Sequence, residues 1–290
     1  MVVLTYNEEK HVERAIRSVQ GFAWRVYVVD SGSTDATVRI AEENGARVLS
    51  NPFVNHAAQL NWAFAAISAE TEWIFRLDAD EIVSPELAAQ IGQEIDGLDR
   101  AVTGIRVHRR IAFMGEPVRH GGVFPIRIVR MVRYGHGACE PRWMDEHLVH
   151  DGGTADFLQG EILDKNLNPL TWWIDKHNGY ASREVIEIMK RRHAATSERT
   201  APRSVLHALY AKTPLSLRSF LYFLYRFVFR LGFLDRGPAR SFHVLQGFFY
   251  RFMVDAKVKE VQRRMEDTGC GPEEAIRDLF GIDVDFGTAP

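Results

Sequence analysis

Through the first hundred residues, short apolar runs take turns with amphipathic stretches, and the apolar runs lead into polar clusters. Val2-Val3-Leu4, Val26 to Val29 in "RVYVVD", Arg47 to Leu49 and Trp73 to Leu77 read as strands. Between them, Glu8 to Gln20 carries Val12, Ala15, Ile16 and Val19 at helical spacing, and Ala36 to Asn44 stops at Gly45. His56 to Ser68 sets Ala57, Leu60, Phe64 and Ile67 on one face, and Pro85 to Asp96 opens with a proline in its first turn behind Ser84 as N-cap. This β-α-β-α-β-α-β order predicts an α/β fold with a mostly parallel central sheet and helices on both faces. Such sheets bind ligands beyond the carboxyl ends of their strands. "TYNEE", "DSGSTD" and "DADE" all stand at such ends and are expected to converge.

From Thr103 to Arg133 the texture turns β-rich, as in "GIRVHRRIAFM" and "FPIRIVRMVR", which predicts a mixed or antiparallel edge to the same sheet. From Leu170 onward the pattern is helical. The organisation expected is a sheet domain over 1–165 and a helical C-terminal region over 166–290. The chain has 290 residues, 46% of them hydrophobic, enough for a sizeable core without a covalent staple. Cys139 and Cys270 fit no metal or redox spacing, so a reducing cytosol is expected. No signal-peptide pattern stands at "MVVLTYNEE", and the abrupt start suggests a clipped first strand. The net charge of −2 conceals a split: Arg191 to Arg251 holds eleven Lys/Arg against two Asp/Glu, a local +9, leaving −11 for the rest.

"WIFRLDADE" brings three carboxylates into four positions behind an apolar run. Asp78 and Asp80 leave the same face of an extended segment, and magnesium or manganese commonly binds one or two carboxylates plus substrate phosphates. The other reading is an acidic turn ahead of the helix at Pro85, where acids need no further purpose. In "YVVDSGSTD", Asp30 ends a strand and could accept hydrogen bonds from a base or ribose, while Thr34 or Asp35 could cap the next helix. Neither G-x-G-x-x-G nor G-x-x-x-x-G-K-[ST] occurs, which disfavours dinucleotide-binding and P-loop readings.

"VVLTYNEE", "VVDSGSTD", an Ala-rich helix with Gln59 and Asn61, and "DADE" together resemble, in order and spacing, the motif set of family 2 glycosyltransferases. The resemblance covers about the first 150 residues. Within the family, the sequence is most similar to bacterial enzymes that add a sugar to lipopolysaccharide core or related envelope glycans. It implies a GT-A fold, and it makes the first domain a nucleotide-sugar-binding one. It places Leu4, Thr5, Tyr6 and Glu8 along a nucleoside pocket, Asp30 at the base, Asp78 near the ribose, and Asp80 on a divalent cation, magnesium or manganese, that bridges the diphosphate. Gln59 and Asn61 belong to the donor-binding set. Relatives often carry Lys or Arg where this chain has Leu60, so a diphosphate contact would fall to Arg127 or Arg130. Inverting transfer needs one carboxylate to take the acceptor hydroxyl's proton. "RWMDEHLVH" resembles the stretch that supplies it, with Glu146 in that role and Asp145 second.

In the C-terminal region, "SFLYFLYRFVFRLGFL" is cut by Arg226 and Arg230, short of the roughly 20 residues a spanning helix needs. On a helix Arg218, Arg226 and Arg230 cluster on one side, and Arg240, His243, Gly247 and Arg251 share a face opposite Phe242, Leu245, Phe249 and Phe252. A basic edge beside an aromatic face suits the headgroup boundary of an anionic membrane; a core helix pair or a dimer interface would show the same stripe. "WWIDKHNGYASRE" resembles a stretch that follows the acceptor region, with His177 and Tyr180 facing the acceptor or packing. The function expected is inverting, metal-dependent sugar transfer from a nucleotide-sugar donor, with a UDP-sugar first in line, to a glycan or glycolipid acceptor. No nucleic-acid partner is expected, and the place expected is the inner face of the cytoplasmic membrane. The alternatives are a sugar nucleotidyltransferase, disfavoured because "TYNEEKHVE" replaces its basic Gly-rich loop, and a non-catalytic nucleotide-sugar-binding scaffold.

Overall fold

The structure, a computed structural model, describes residues 1–67, 71–140, 147–197 and 217–286. Two compact units divide the chain: Met1–Pro169 with Gly237–Ala239, and Leu170–Arg236 with Arg240–Pro290.

The first unit opens with the alternation that the sequence predicts. Strands β1 (Val2–Thr5), β2 (Tyr27–Asp30), β3 (Arg47–Ser50) and β4 (Trp73–Asp78) pair in parallel in the order β3-β2-β1-β4. Helices α1 (Val12–Val19), α2 (Thr37–Glu43), α3 (His56–Ala66) and α4 (Pro85–Glu94) lie between or after them. Alternation along the strands fills both faces: Val3 and Val28 join a core with Val12, Ile16, Ala41, Leu87 and Ile91, while Val2 and Val29 join another with Ala57, Leu60 and Ala63. Helices thus cover the two faces of the α/β sheet, as expected. Ser84 caps α4 by accepting a hydrogen bond from the Leu87 amide.

Beyond β4 the sheet continues through β8 (Ile126–Arg133), β6 (Val102–Phe113), β11 (Thr154–Lys165) and β5 (Glu81–Val83), with β7 (Glu116–Pro117) paired to β6. β8 runs antiparallel to β4 and β6, β11 runs parallel to β6, and β5 runs antiparallel to β11. A separate ribbon pairs β9 (Gly137–Cys139) with β10 (Leu148–His150). The mixed edge was expected; β5 and β11 were not. "DADE" is accordingly a turn between two strands, where the sequence had suggested a turn leading directly into a helix. β4 and β5 stand at opposite ends of the path β4-β8-β6-β11-β5, yet only Ala79 and Asp80 separate them in the chain. The path must therefore curl until its two ends meet.

Charged side chains from all five strands meet inside this curl. Glu81, fully buried on β5, accepts from Arg109 Nε on β6 at 3.0 Å and from Arg130 on β8. Arg130 also reaches Asp78 Oδ2 on β4 at 3.2 Å, Arg76 Nε donates to Asp78 Oδ1 at 3.3 Å, and Arg109 Nη2 binds Asp164 Oδ2 on β11 at 2.5 Å. The Asp78 amide donates to Glu81 Oε2 at 3.0 Å, fixing the turn. The charges are matched, and each carboxylate has a guanidinium within hydrogen-bond reach.

The second unit is helical, as predicted. α5 (Leu170–Ser197) is followed among the described residues by α6 (Leu217–Leu224), α7 (Gly237–Val244), α8 (Tyr250–Thr268) and α9 (Pro272–Phe280), with π-helical turns at Tyr225–Phe229 and Leu245–Phe249. Glu184 on α5 accepts from Tyr250 Oη and Arg251 Nη1, each at 2.7 Å, and Asp255 on α8 takes Ser219 Oγ at 2.6 Å and Arg218. His177 packs: its ring stacks on Trp173 at 3.5 Å and meets Tyr180 and Tyr250 edge-on, each at 5.5 Å.

Two stability measurements test this architecture. Glu81→Ala would leave Arg109 and Arg130 without their shared carboxylate, and we expect a loss of about 3–5 kcal/mol in denaturant unfolding. Burial, helped by the charge of Lys176, lowers the His177 pKa from 6.5 to about 4 against the Trp173 carbonyl bond. The unfolded chain therefore takes up a proton that folded His177 resists, so His177 contributes stability above pH 6.5 that is lost as pH falls toward about 4. His177→Gln should flatten that part of the stability–pH curve.

Candidate active site

At the carboxyl ends of β2, β1 and β4, the register sets Thr5 opposite Asp30 and Leu4 opposite Asp78. The three polar clusters therefore meet along one edge, as the strand pattern implied. Short-range hydrogen bonds then lock the loops together.

Asp30, almost fully buried, organises the first loop. Its Oδ1 accepts from Thr5 Oγ1 at 3.0 Å and Ser33 Oγ at 2.5 Å; its Oδ2 accepts from the Gly32 and Ser33 amides at 2.9 and 2.8 Å. The turn needs Gly32, whose φ is +92°. The "TYNEE" loop is laced to it. The Asn7 amide donates to Ser33 Oγ at 2.8 Å, Asn7 Oδ1 accepts from the Thr34 amide at 2.8 Å, and the Glu8 amide donates to Thr37 Oγ1 at 2.7 Å. Asp35 accepts from the Thr37 amide at 2.9 Å and the Glu9 amide at 3.2 Å. The N-cap position of α2 itself is Ala36, one residue beyond the predicted Asp35 and two beyond Thr34, and Asp35 accepts the Thr37 amide from just outside the helix. Tyr6 is left outward at 60% exposure, and Leu4 is half-buried behind it.

Gln59 and Asn61 hold other segments in place. Gln59, 1% exposed, donates to Ser31 Oγ at 3.0 Å and to the Asn51 carbonyl at 2.9 Å while accepting from Asn51 Nδ2 at 2.6 Å. It ties the loop after β2 to the end of β3. Asn61 acts like a strand edge, donating to the Cys139 carbonyl at 3.0 Å and accepting from its amide at 2.8 Å. Leu60 between them is fully buried in the core.

Asp80 is half-buried at the turn between β4 and β5. Its carbonyl accepts from the Lys165 amide at 3.0 Å and from Arg14 Nη2 at 3.2 Å, and its Oδ2 accepts from Asn166 Nδ2 at 2.9 Å. Oδ1 has no protein partner among the described residues. A second anchor lies beside it. His11, 1% exposed, accepts the Leu167 amide on Nε2 at 2.9 Å, so Nδ1 carries the proton and donates to Glu8 Oε2 at 2.6 Å. The Glu8 carboxylate is thereby committed to His11.

Charge sets the ionisation of the cluster. Burial disfavours ionised Asp78, but Arg76, Arg130 and Arg109 outweigh it and hold its carboxyl far below the usual range. Burial pushes Glu81 up, as does the charge of Asp78, against the pull of Arg130 and Arg109. Asp164 is raised to about 7, by burial first and by Asp80, Glu81 and Asp78 beside it, with Arg109 opposing. The same carboxylates overcome the burial of Arg109 and raise its pKa.

Arg130 is therefore buried against Asp78 and Glu81. Arg127, exposed on the opposite face of β8, lies with its guanidinium 4.5 Å over the Phe157 ring. The two arginines do not serve one ligand face. Asp145 and Glu146 lie outside the described residues. Sequence reasoning missed His11, Arg14, Arg109, Asp164 and Asn166. "EILDKNLN" offered a signal, since it is a fourth polar cluster closing an alternating run. Among the described residues no three His, Cys, Asp or Glu side chains assemble into a metal cage. The donor set around Asp80 suits instead a hard cation that takes one carboxylate oxygen and completes its shell with substrate phosphates and water.

Residues 1–139 match the sequence model of a family described as glycosyl transferase family 2. An uncharacterized glycosyltransferase of Rickettsia bellii (strain RML369-C) is 45% identical over 89 residues, 31% of this chain and 30% of that protein. One from Rickettsia felis (strain ATCC VR-1525 / URRWXCal2) is 43% identical over 89 residues, 31% of each. The chain thus spans about three-tenths of the length of the curated relatives it matches. Among solved structures, glucosyl-3-phosphoglycerate synthase from Mycobacterium tuberculosis, in complex with Mn2+, UDP and glucosyl-3-phosphoglycerate, aligns over 38% of this chain and 43% of that one, at 25% identity and a TM-score of 0.31. The match to glycosyl transferase family 2 thus covers 139 of the 290 residues, just under half of the chain.

Proposed function

We propose that this protein is an inverting, metal-dependent glycosyltransferase. It moves a sugar from a nucleotide-diphosphate donor, a UDP-sugar first in line, to a cell-envelope glycan or lipid-linked acceptor at the inner face of the cytoplasmic membrane. The observation that carries the reading is the edge of the domain matched to family 2 where Thr5, Asp30 and Asp78 end adjacent parallel strands and Asp80 stands half-buried in the turn that follows.

Each residue then has a task. Leu4 and the exposed Tyr6 line the nucleoside pocket, and Asp30 shapes its floor by holding the turn at Gly32. Gln59 and Asn61 fix the flanking segments. Asp78, kept ionised by its arginines, stands near the ribose. Asp80 would hold the divalent cation, which when bound neutralises the diphosphate as it departs. Glu146 takes the proton of the acceptor hydroxyl while that oxygen attacks the anomeric carbon. The carbon–oxygen bond to the diphosphate breaks, and its electron pair leaves with the diphosphate. Asp145 stands beside Glu146 in the sequence as the second acid.

Two experiments test the assignment. In a thermal-shift panel of nucleoside diphosphates, UDP with manganese should stabilise the wild-type protein, and Asp80→Ala should fold but lose the manganese-dependent part of the shift. A wild-type protein that no nucleotide stabilises would remove the donor assignment. Glu146→Gln should lower turnover by roughly 10²–10⁴-fold with donor binding unchanged; unaltered turnover would take Glu146 out of the mechanism.

A further inference from the structure

Between Tyr225 and Leu234 the second unit turns a corner. The π-helical turn Tyr225–Phe229 that continues α6 gives way to a 3-10 turn, Gly232–Leu234, before α7 starts at Gly237. Leu231 at the apex has φ +61°, a left-handed conformation uncommon for a leucine. Next to it Gly232 is buried, and a Cβ there would stand 3.0 Å from the Arg226 carbonyl oxygen and 3.2 Å from the His243 ring. Beneath the corner, His243 Nε2 lies 2.8 Å from Asp235 Oδ2, both residues buried, and Arg240 Nε donates to the Asp235 carbonyl at 2.9 Å. The corner is fixed from inside.

Its apolar side chains face the other way. Tyr225, Val228, Phe229, Leu231, Phe233 and Leu234 are all exposed, Phe229 at 71%. Phe233 also meets Phe227 edge-on at 6.3 Å, but the space between the helices is otherwise filled by Phe223, which stacks on Phe227 at 5.1 Å and meets Phe248 at 6.0 Å. An exposed apolar cluster of this density, held out by a rigid turn, marks a binding surface.

The charges around it choose the occupant. Residues 217–254 contain six arginines and a single acid, Asp235, which is buried against His243. Arg218 and Arg251 are paired with Asp255 and Glu184. Arg226, held against the Tyr222 ring and hydroxyl, and Arg230, Arg236 and Arg240 lie in the same segment as the apolar tip, whose one acid is the buried Asp235. A protein partner would have to supply both an apolar socket and a ring of acids. A bilayer with anionic headgroups presents both layers at the right depths. No helix among the described residues is long and apolar enough to cross a membrane.

We propose that the Tyr225–Leu234 corner seats in the headgroup boundary of an anionic bilayer. Phe229, Leu231 and Phe233 enter the acyl region, and Arg226, Arg230, Arg236 and Arg240 meet lipid phosphates. The proposal rests on the reading of the protein as a membrane-face enzyme and identifies the part that makes the contact.

The test is co-sedimentation with vesicles of phosphatidylcholine, with and without phosphatidylglycerol, at low and high salt. Wild-type protein should bind the phosphatidylglycerol vesicles at low salt, release in high salt and ignore pure phosphatidylcholine. The double variant Phe229→Ser, Leu231→Ser should lose at least tenfold in binding while keeping its thermal midpoint, since both side chains are exposed. Phe229→Trp should show a blue-shifted emission when vesicles are added. Wild-type protein that stays off anionic vesicles defeats the membrane-face reading itself. Wild-type binding that the double variant retains in full, with no shift from Phe229→Trp, defeats the corner alone. A wild-type dimer that the double variant converts to monomer without lipid would assign the corner to self-association and overturn the proposal.

Discussion

One buried carboxylate, Glu81, shared by Arg109 and Arg130, holds the curled strands of the first unit together. Taking such charges out of water is expensive, and their attraction repays the cost only where geometry and extra hydrogen bonds are good. Here Asp78, Asp164 and Arg76 complete the set, so each of the five strands of the curl contributes a charge. An apolar filling of the same volume could match its stability. It would not fix register as tightly, because a shift of one residue on any strand would turn a charge out of the network and strand its partner. The cluster also keeps Asp78 ionised at the edge of the site.

The first hundred residues were readable because local pattern and tertiary role agree there. Val12, Ala15, Ile16 and Val19 are spaced for a helix and all four are buried. The curl was harder. β5 has three residues, too few for any period to show. β11 buries Ile162 but also turns Asp164 toward Arg109. A carboxylate is ordinarily a sign of solvent, so charged residues that face inward break the apolar rhythm by which strands are recognised.

The site was legible by position and less so by role. Asp30, Gln59 and Asn61 stand where ligand-facing residues were expected, yet the hydrogen bonds they make go to the protein's own turns and strands. Their partners lie between two and 78 positions away in the chain, a span over which spacing carries no signal. His11 and Arg14 are subtler still: His11 stands just before α1 and Arg14 lies on it, but they serve the end of β11 and the segment after it. Arg130 resembled a phosphate contact because nothing in "PIRIVR" reveals which face of the strand meets an acid.

The turn of Ala79 and Asp80 has one more consequence. Because it joins the two ends of a curled strand path, the carboxylate of Asp80 rides on a closed ring of backbone, cross-braced by Arg14 and Asn166. A ligand that bound there would meet an oxygen already in place and spend little entropy on arranging it. In the proposed transferase, adjustment to donors of different shape would fall instead to the exposed side chain of Tyr6, so that a braced carboxylate and an unbraced ring would divide the work along one edge.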